Sequence, residues 1–274
     1  MFNVIHHEKL NQFVTKLHIV APLIAKKAQA GQFVMVRVND TGEKIPLTIS
    51  DSTENSITLI FQKVGKTTFL LDKLRPGDKI LDITGPLGSP TELDNYKNVI
   101  TIGGGLGVAI MYSQIKRLRE LKSHVESIIG FRNKDMIILE HEINKIANKL
   151  DIVTDDGSYG KLGLVTDLLK EKLVSNYDKY DLVLVVGPLL MMKAVCDITR
   201  HYKIKTIVSM NTIMTDGTGM CGSCRLTVDK KIKFACVDGP DFDGHLVNFD
   251  EIILKNRMYV VQEEESMRIM KNKE

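Results

Sequence analysis

Three of the four cysteines lie in one glycine-rich stretch that also holds an aspartate. Cys221 and Cys224 form a C-x2-C pair, and Cys236 follows after eleven residues. Asp216 stands five residues before the pair. Clusters of the [2Fe–2S] type are held by the pattern C-x4-C-x2-C…C, and iron also accepts a carboxylate oxygen. Since Asp216 occupies the place of the first cysteine, the spacing predicts a [2Fe–2S] centre with the ligands Asp216, Cys221, Cys224 and Cys236.

Two other kinds of site would use the same cysteine pair. A C-x2-C pair is typical of zinc sites, in which Asp216, His201 or His245 could supply a fourth ligand. The pair could also be a redox-active dithiol, which would need a thioredoxin-like strand and helix around it. The glycines in this stretch let the backbone wrap closely around a cluster, so they favour iron and sulfide.

The chain before residue 96 consists of short segments that are rich in β-branched residues or alternate in polarity, separated by turn residues. These predicted strands are residues 2–6, 14–19, 33–38, 57–64 and 80–84. Strands at such spacing with little helix predict a small antiparallel β-barrel over residues 1–95.

One short helix is predicted among these strands, at residues 67–74. A helix N-terminus that combines Gly65 with the hydroxyls of Thr67 and Thr68 is suited to binding phosphate. An ordinary capped helix has the same pattern, so this segment alone leaves both interpretations open.

A buried strand at residues 99–102 runs into the turn G-G-G-L-G, and a helix follows to about residue 122. In this order of strand, turn and helix, the glycines let the pyrophosphate of a dinucleotide approach the backbone amides. Arg132, Asn133 and Lys134 follow the next strand. They could bind the 2′-phosphate of NADP or form a solvated turn, so both NAD and NADP stay open.

Strands and helices continue to alternate to residue 210, which predicts a parallel, doubly wound α/β sheet over residues 96–210. Helices are expected at residues 136–146, 164–173 and 189–202, and the last strand at residues 207–209. Met191, Met192 and Cys196 are predicted to be core residues of the third helix. Ligands bind at the carboxyl ends of such strands. We therefore expect one dinucleotide cleft lined by Gly103, Gly104, Gly105, Gly107, Asp155, Asp156, Gly157, Gly187 and Pro188.

Residues 211–274 are predicted to form a small cluster domain and a tail. A hairpin with strands at residues 226–228 and 232–234 precedes Cys236, and a helix is expected at residues 249–255. His245 is predicted to lie in a surface loop. From Gln262 onward, an acidic and then Lys-rich tail predicts a solvated helix or a frayed end.

Composition argues against several classes of protein. A net charge of +3 and 6 % aromatic residues without Trp do not predict nucleic-acid binding. No apolar run approaches the roughly 18 residues of a membrane span, and no signal-peptide pattern is visible. Clustered cysteines suit a metal site in a reducing compartment, so we expect a cytoplasmic protein.

Six motifs together give the chain a family resemblance over nearly its whole length: P-L-T-I, V-G-K-T-T, G-P-L-G, G-G-G-L-G, T-D-D-G-S-Y-G and D-G-T-G-M-C-G-x-C-R. In this order they resemble ferredoxin-reductase-type flavoproteins with a C-terminal [2Fe–2S] domain. Two groups share the layout. One is the electron-transfer subunit of dihydroorotate dehydrogenase. The other is the small (alpha) subunit of NADH-dependent reduced ferredoxin:NADP oxidoreductase, also called ferredoxin–NADP reductase subunit alpha or sulfide dehydrogenase subunit.

The resemblance implies FAD as a further cofactor. Its ring would be lined by Pro46, Leu47, Thr48 and Ile49. Its phosphates would be held by Gly65, Lys66, Thr67 and Thr68. The chain departs from the family's ring-binding motif, because Leu47 replaces the aromatic residue and the nearest cation is Lys44.

The reaction implied by the resemblance passes electrons between NAD(H) or NADP(H), the flavin, the cluster and a partner subunit. Hydride transfer to a flavin needs no acid or base from the protein, so no catalytic residue is predicted. The resemblance implies four cysteine ligands in the orotate-type subunit, but one Asp and three Cys in the second group. Asp216 therefore points to the second group. In that group the partner is a larger flavin- and iron–sulfur-containing oxidoreductase subunit, through which ferredoxin would be reached, and the complex can bifurcate electrons.

Three alternatives stay open at this point. The chain could be the electron-transfer subunit of a dihydroorotate dehydrogenase, a stand-alone reductase, or a zinc-bearing, non-redox adaptor on a reductase scaffold. The intact glycine turns speak against the adaptor, which would be colourless. The direction of electron flow and the occurrence of bifurcation are also left open by the sequence.

Overall fold

The computed structural model of the chain describes residues 1–271. Its N-terminal part is one curled antiparallel sheet of seven strands in the order β6-β1-β2-β5-β4-β3-β7. These strands are β1 (Phe2–Lys9), β2 (Val14–Val20), β3 (Phe33–Arg37), β4 (Ile45–Ser52), β5 (Ser56–Gln62), β6 (Lys79–Ile80) and β7 (Asp82–Leu87), with the helices α1 (Pro22–Ala25) and α2 (Lys66–Lys73). The predicted barrel is confirmed in the form of this curled sheet.

Alternation of buried and exposed side chains explains why these segments are strands. On β2, Leu17 and Ile19 are fully buried, whereas His18 on the opposite face is partly exposed. Strand β3 is buried on both faces. Val34 belongs to the core inside the curl, while Met35 belongs to a core shared with the rest of the chain.

The single strand predicted at residues 80–84 is wrong, because the chain changes edge there. Ile80 pairs with β1 at one end of the sheet, and from Asp82 onward the chain pairs with β3 at the other end. The N–H of Leu81 between them donates to the Val38 carbonyl at 3.0 Å. This crossing brings the two ends of the sheet toward each other.

The middle part of the chain is the predicted doubly wound sheet. Six parallel strands lie in the order β11-β10-β9-β8-β12-β13. They are β8 (Asn98–Gly104), β9 (His124–Phe131), β10 (Lys149–Thr154), β11 (Lys161–Leu162), β12 (Leu182–Val186) and β13 (Lys205–Ser209). The helices α3 (Gly107–Glu120) and α4 (Glu140–Ile146) contribute to one core cluster, and α5 (Val165–Asn176) and α6 (Leu189–His201) to another, one on each face.

The helix predicted at residues 136–146 is wrong in its first half. Lys134–Met136 is a short 3₁₀ turn, and α4 begins only at Glu140 after Leu139, whose φ is +56°. Ile138 and Leu139 are buried in the core that α3 covers. Tertiary burial of these two side chains therefore determines the local backbone, in place of helical periodicity.

The C-terminal part contains β14 (Arg225–Val228), β15 (Lys231–Phe234), β16 (Asp241–Asp243), α7 (Phe249–Lys255) and α8 (Val260–Lys271). The predicted hairpin is confirmed as β14 and β15. The expectation that residues 207–209 form the last strand of the sheet is wrong, because β16 pairs antiparallel with β13 and extends the sheet. The tail predicted from Gln262 is helical to Lys271, and its last three residues lie outside the described residues.

A buried carboxyl on β16 joins the three parts of the chain. Asp241 Oδ2 accepts hydrogen bonds from Gln114 Nε2 on α3 at 2.7 Å and from the Thr91 hydroxyl. The Thr91 N–H donates at 2.9 Å to the carbonyl of Ala30, in the turn before β3 of the curled sheet. Burial raises the pKa of Asp241, and no cation of the described residues lies beside it. Because β16 comes after residue 210 in the chain but extends the middle sheet, the domain limits at residues 95 and 210 stay a prediction.

No helix among residues 1–271 is long and apolar enough to cross a membrane.

Candidate functional site

Hairpin pairing brings two of the predicted cluster ligands together. Cys224 lies directly before β14, and Cys236 lies two residues after β15. The Ala235 N–H donates to the Cys224 carbonyl at 3.2 Å, which extends the pairing to the cysteines. As a result, the two Sγ atoms are 3.2 Å apart, buried and not joined as a disulfide.

Asp216 and Cys221 form a second pair, on the loop before the hairpin. Asp216 Oδ1 accepts from the Thr218 N–H at 2.8 Å, and Oδ2 accepts from the Cys221 N–H at 2.9 Å. These N–H groups, Thr218 foremost, lower the pKa of Asp216. Each carboxylate oxygen keeps a further lone pair, so Asp216 can order the loop and also bind a metal.

The four predicted ligands lie as two separate pairs, Asp216 with Cys221 and Cys224 with Cys236. Within residues 1–271, no three His, Cys, Asp or Glu side chains converge on a point suited to one metal ion. His245 Nε2 is instead 2.9 Å from the Thr199 hydroxyl, and His201 is exposed at the end of α6. A [2Fe–2S] centre takes two protein ligands on each iron, which corresponds to two separate ligand pairs.

Burial and hydrogen bonding shift the pKa values of Cys236 and Cys221 in opposite directions. Burial raises the pKa of Cys236 to about 12, and the adjacent Cys224 thiol adds to the rise. In contrast, the Ser223 hydroxyl lowers the pKa of the exposed Cys221 thiol. A metal binds cysteine as the thiolate, so binding at Cys236 would displace the proton of this thiol.

Strand β4 carries the residues predicted to line the flavin ring. Pairing with β3 sets its register, with Met35 opposite Pro46 and Phe33 opposite Thr48. Pro46, Leu47 and Thr48 are partly exposed, whereas Ile49 is buried. A mostly apolar surface with a hydroxyl is suited to a flat ring system.

Met35 also joins this strand to the cluster loop. A Cβ added at Gly217 would lie 2.6 Å from Met35 Cγ and 2.9 Å from Leu87 Cδ1. Gly217 therefore packs its backbone directly on these side chains, and its φ of +79° is a conformation that glycine adopts without strain. The loop beside Asp216 is thus seated on the residue opposite Pro46.

The N-terminus of α2 separates the roles of its two threonines. The Thr68 hydroxyl accepts from the N–H groups of Val64 and Gly65, each at 3.0 Å, and donates to the Gly65 carbonyl at 2.8 Å. It therefore caps the helix. The Thr67 hydroxyl is buried and has no hydrogen-bond partner in the described part of the chain. Lys66 is half-buried at the start of the helix.

The glycine turn after β8 brings α3 unusually close to β12. Gly105 has a φ of +54°, and its N–H donates to the Gly130 carbonyl at 2.9 Å. A Cβ added at Gly107 would lie 2.2 Å from the Val186 carbonyl oxygen. Only glycine lets α3 begin at this distance from the neighbouring strand, with its N-terminal amides at the edge of the sheet.

The second predicted turn meets the first where β8 and β12 are neighbours, which is the switch point of the sheet. A Cβ added at Gly187 would be 3.2 Å from Gly104 Cα, and Pro188 Cδ lies 3.1 Å from the corresponding position at Gly104. Met192 is fully buried, as predicted for a core residue. Met191 is partly buried and packs against the core cluster that contains Met192, and its Cε also lies 2.5 Å from the added Cβ of Gly187. The position of Met191 in the first turn of α6 was the feature of the sequence from which this contact with the turn could have been predicted.

The third predicted turn lies farther along the same edge. Asp155, Asp156 and Gly157 follow β10, which β9 separates from β8. Asp156 Oδ1 accepts from the hydroxyl of Ser158 at 2.6 Å and from its N–H at 2.9 Å, which lowers the pKa of Asp156. Asp156 thus stabilises its own exposed turn, at the rim of the cleft.

Two family models match the chain. The iron–sulfur cluster binding domain of dihydroorotate dehydrogenase B matches residues 211–248, and the oxidoreductase NAD-binding domain matches residues 101–197. The first range includes the four predicted cluster ligands, and the second includes both glycine turns at the switch point. Predictions of an iron–sulfur domain and an NAD-binding domain are thereby confirmed.

Curated relatives match over most of their length. A homolog of the electron transfer subunit of dihydroorotate dehydrogenase B (NAD(+)) from Thermotoga maritima is 43% identical over 262 residues, 95% of this chain and 92% of the relative. The chain belongs to the family of dihydroorotate dehydrogenase B-type electron transfer subunits. Within this family, the subunit of Clostridium perfringens is 33% identical over 226 residues, 81% of this chain and 88% of that one.

The chain is also similar to solved structures. A chain in the structure of NADH-dependent reduced ferredoxin–NADP oxidoreductase, which was described for flavin-based electron bifurcation, has a TM-score of 0.93 and 39% identity over 98% of both chains. Phthalate dioxygenase reductase has a TM-score of 0.60 at 16% identity, over 83% of this chain and 85% of that one, and shares the fold. The chain is an oxidoreductase-type electron-transfer subunit, and the predicted fold and resemblance are confirmed.

Proposed function

We propose that the chain is the alpha subunit of an NADH-dependent reduced ferredoxin:NADP oxidoreductase. It would pass electrons between NAD(H) or NADP(H), FAD and a [2Fe–2S] cluster, and exchange them with a larger flavin- and iron–sulfur-containing subunit that reaches ferredoxin. The observation that carries the proposal is Asp216 in the first ligand position, 2.9 Å from the Cys221 N–H. The 39% identity over 98% of the chain supports it.

We assign residues of this chain to each of the three cofactors. The cluster would be held by Asp216, Cys221, Cys224 and Cys236. FAD would be bound by Pro46, Leu47, Thr48, Ile49, Gly65, Lys66, Thr67 and Thr68. The nicotinamide dinucleotide would lie against Gly103, Gly104, Gly105, Gly107, Gly187 and Pro188, with Asp155, Asp156 and Gly157 at the rim. A cytoplasmic location is part of the proposal, because thiolate ligands stay reduced there.

When bound, FAD converts the two-electron chemistry of a nicotinamide into single electrons. The protein would position the nicotinamide dinucleotide and the cluster loop relative to the flavin. The start of α3 presents backbone N–H groups to a pyrophosphate, and Met191 restricts the space above the glycine turn. Gly217, packed on Met35, holds the cluster loop against β3, the neighbour of the strand that carries Pro46.

Anaerobic purification, followed by a visible spectrum, metal and sulfide analysis and EPR after dithionite reduction, tests the proposal. We expect flavin bands, about two irons per chain and the EPR signal of a reduced [2Fe–2S] centre. Asp216→Cys should keep the cluster and change its spectrum, whereas Cys224→Ser should lose most of the iron. Cys196→Ser is the matched control, because Cys196 is buried on α6 and has no role in the site. A colourless protein with zinc and no flavin would refute the proposal.

A second candidate is the electron-transfer subunit of a dihydroorotate dehydrogenase, favoured by the family model that matches residues 211–248. The complex with the co-purified partner separates the two. Bleaching of its flavin by dihydroorotate would support the second candidate. Bleaching by NADPH in the presence of ferredoxin, with no response to dihydroorotate, would support the first.

A further inference from the structure

Ser223 lies between two of the proposed cluster ligands and contacts one of them. Its Oγ is 3.1 Å from Cys221 Sγ. From the other side of the loop, the Thr215 hydroxyl donates to Ser223 Oγ at 3.3 Å. The three side chains form a chain of hydrogen bonds that ends on the exposed cysteine of the site.

The direction of this chain follows from the protons available. Ser223 Oγ accepts the proton of Thr215, and its own single proton is then left for Cys221 Sγ. A cysteine that binds iron is a thiolate, which accepts hydrogen bonds and cannot donate one. Ser223 is therefore the donor to a ligand sulfur, and Thr215 orients it.

We propose that Ser223 raises the reduction potential of the [2Fe–2S] cluster by donating its hydroxyl proton to Cys221 Sγ, with Thr215 as the residue that positions it. The inference rests on the ligand set proposed above. Reduction adds one electron to the cluster, and a hydrogen bond to an anionic acceptor strengthens as the acceptor gains negative charge. The reduced cluster is thus stabilised more than the oxidised one.

The effect falls on one of the two ligand pairs. In the part of the chain that the structure describes, the sulfurs of Cys224 and Cys236 contact each other at 3.2 Å and have no hydroxyl donor. Ser223 therefore acts on the exposed side of the centre, where Cys221 is paired with Asp216. Because Ser223 is half-buried, water can replace part of its effect, so we expect a moderate shift.

Ser223→Ala tests the proposal without changing a ligand. The midpoint potential of the anaerobically purified full chain is measured by redox titration, followed by the EPR signal of the reduced cluster. We expect the equilibrium constant for reduction to fall roughly tenfold, ~59 mV for a one-electron couple, with unchanged iron and sulfide content. Thr215→Val should shift the potential in the same direction by less. Ser223→Thr, which keeps the hydroxyl, should restore the wild-type value.

A matched control and a second readout separate tuning from folding. The Thr212 hydroxyl is buried and has no hydrogen-bond partner among the described residues, so Thr212→Val removes a hydroxyl from the same segment and should leave the potential unchanged. Electron–nuclear double resonance of the reduced cluster should show an exchangeable proton in the wild type and in Ser223→Thr that is lost in Ser223→Ala.

Three outcomes would overturn the proposal. The first is an unshifted midpoint potential in a fully loaded Ser223→Ala chain. The second applies if that variant does not retain its cluster: an unshifted Thr215→Val then contradicts the hydrogen-bond chain. The third, a wild-type chain without iron, refutes the ligand set itself and the inference with it, and is recognised before any variant is made.

Discussion

Replacing Gly107 by alanine tests whether the close approach of α3 to β12 builds the dinucleotide turn. The added methyl group would lie 2.2 Å from the Val186 carbonyl oxygen and 2.9 Å from the Gly187 nitrogen. Because carbon and oxygen atoms pack no closer than about 3.3 Å, the start of α3 has to move by roughly 1 Å. The neighbouring atoms are backbone, so they cannot yield by changing a rotamer.

Two opposing effects determine the stability of Gly107→Ala. Alanine is more favourable than glycine inside a helix by about 1 kcal/mol, whereas overpacking costs about 1–3 kcal/mol. With backbone on both sides of the contact we expect the upper end, a net loss of about 1–2 kcal/mol in the free energy of unfolding. A displacement of about 1 Å in a positioning element can cost roughly a hundredfold in rate. The rate of flavin reduction should therefore fall far more than the stability.

Stopped-flow reduction of the flavin by NADH and NADPH, together with urea unfolding, measures both effects. Gly77→Ala is the matched control, because its φ of +101° strains an alanine while no atom of the described residues lies within 4 Å of the added Cβ. It should lose a similar amount of stability and keep the wild-type rate. A folded Gly107→Ala chain that is reduced at the wild-type rate would refute the reasoning.

Three further changes have defined outcomes. Although burial opposes it, Lys172 and Lys179 at 2.8 and 2.7 Å hold the pKa of Glu126 at about 2. Its stabilisation is present above the unfolded pKa of about 4.5 and is lost toward about pH 2. Glu126→Gln should therefore cost about 2 kcal/mol in urea unfolding at neutral pH, and an equal gap at about pH 3 would contradict this. Burial raises the pKa of Asp241, so its ionisation destabilises the fold as pH rises. As pH rises above the unfolded pKa of 3.8, Asp241→Asn should lose less stability than the wild type; parallel pH profiles would argue against a buried neutral carboxyl. In Gly217→Ala the methyl would meet Met35 Cγ at 2.6 Å, so iron content and flavin-to-cluster electron transfer in rapid-freeze EPR should fall, and adding Met35→Ala should recover part of both.

Periodicity and turn residues predicted the fold well where the determining contacts are local. The glycine turn between β8 and α3 and the alternation along β2 specify their elements within a few residues. Prediction failed at residues 136–139 because Ile138 and Leu139 are held by burial under α3, not by helical periodicity. It also missed β16, because this strand has only three residues and no local sequence pattern indicates its pairing with β13.

The candidate site likewise has features that the sequence determines and features that only the tertiary structure determines. The sequence by itself determined the ligand types and their order along the chain, because the spacing from Asp216 to Cys224 limits how far apart the ligands can be. Only the tertiary structure decided that Cys224 and Cys236 lie 3.2 Å apart and that the hydroxyl of Ser223 reaches Cys221. These distances depend on hairpin register and on loop packing against Met35, which are contacts between residues distant in the sequence.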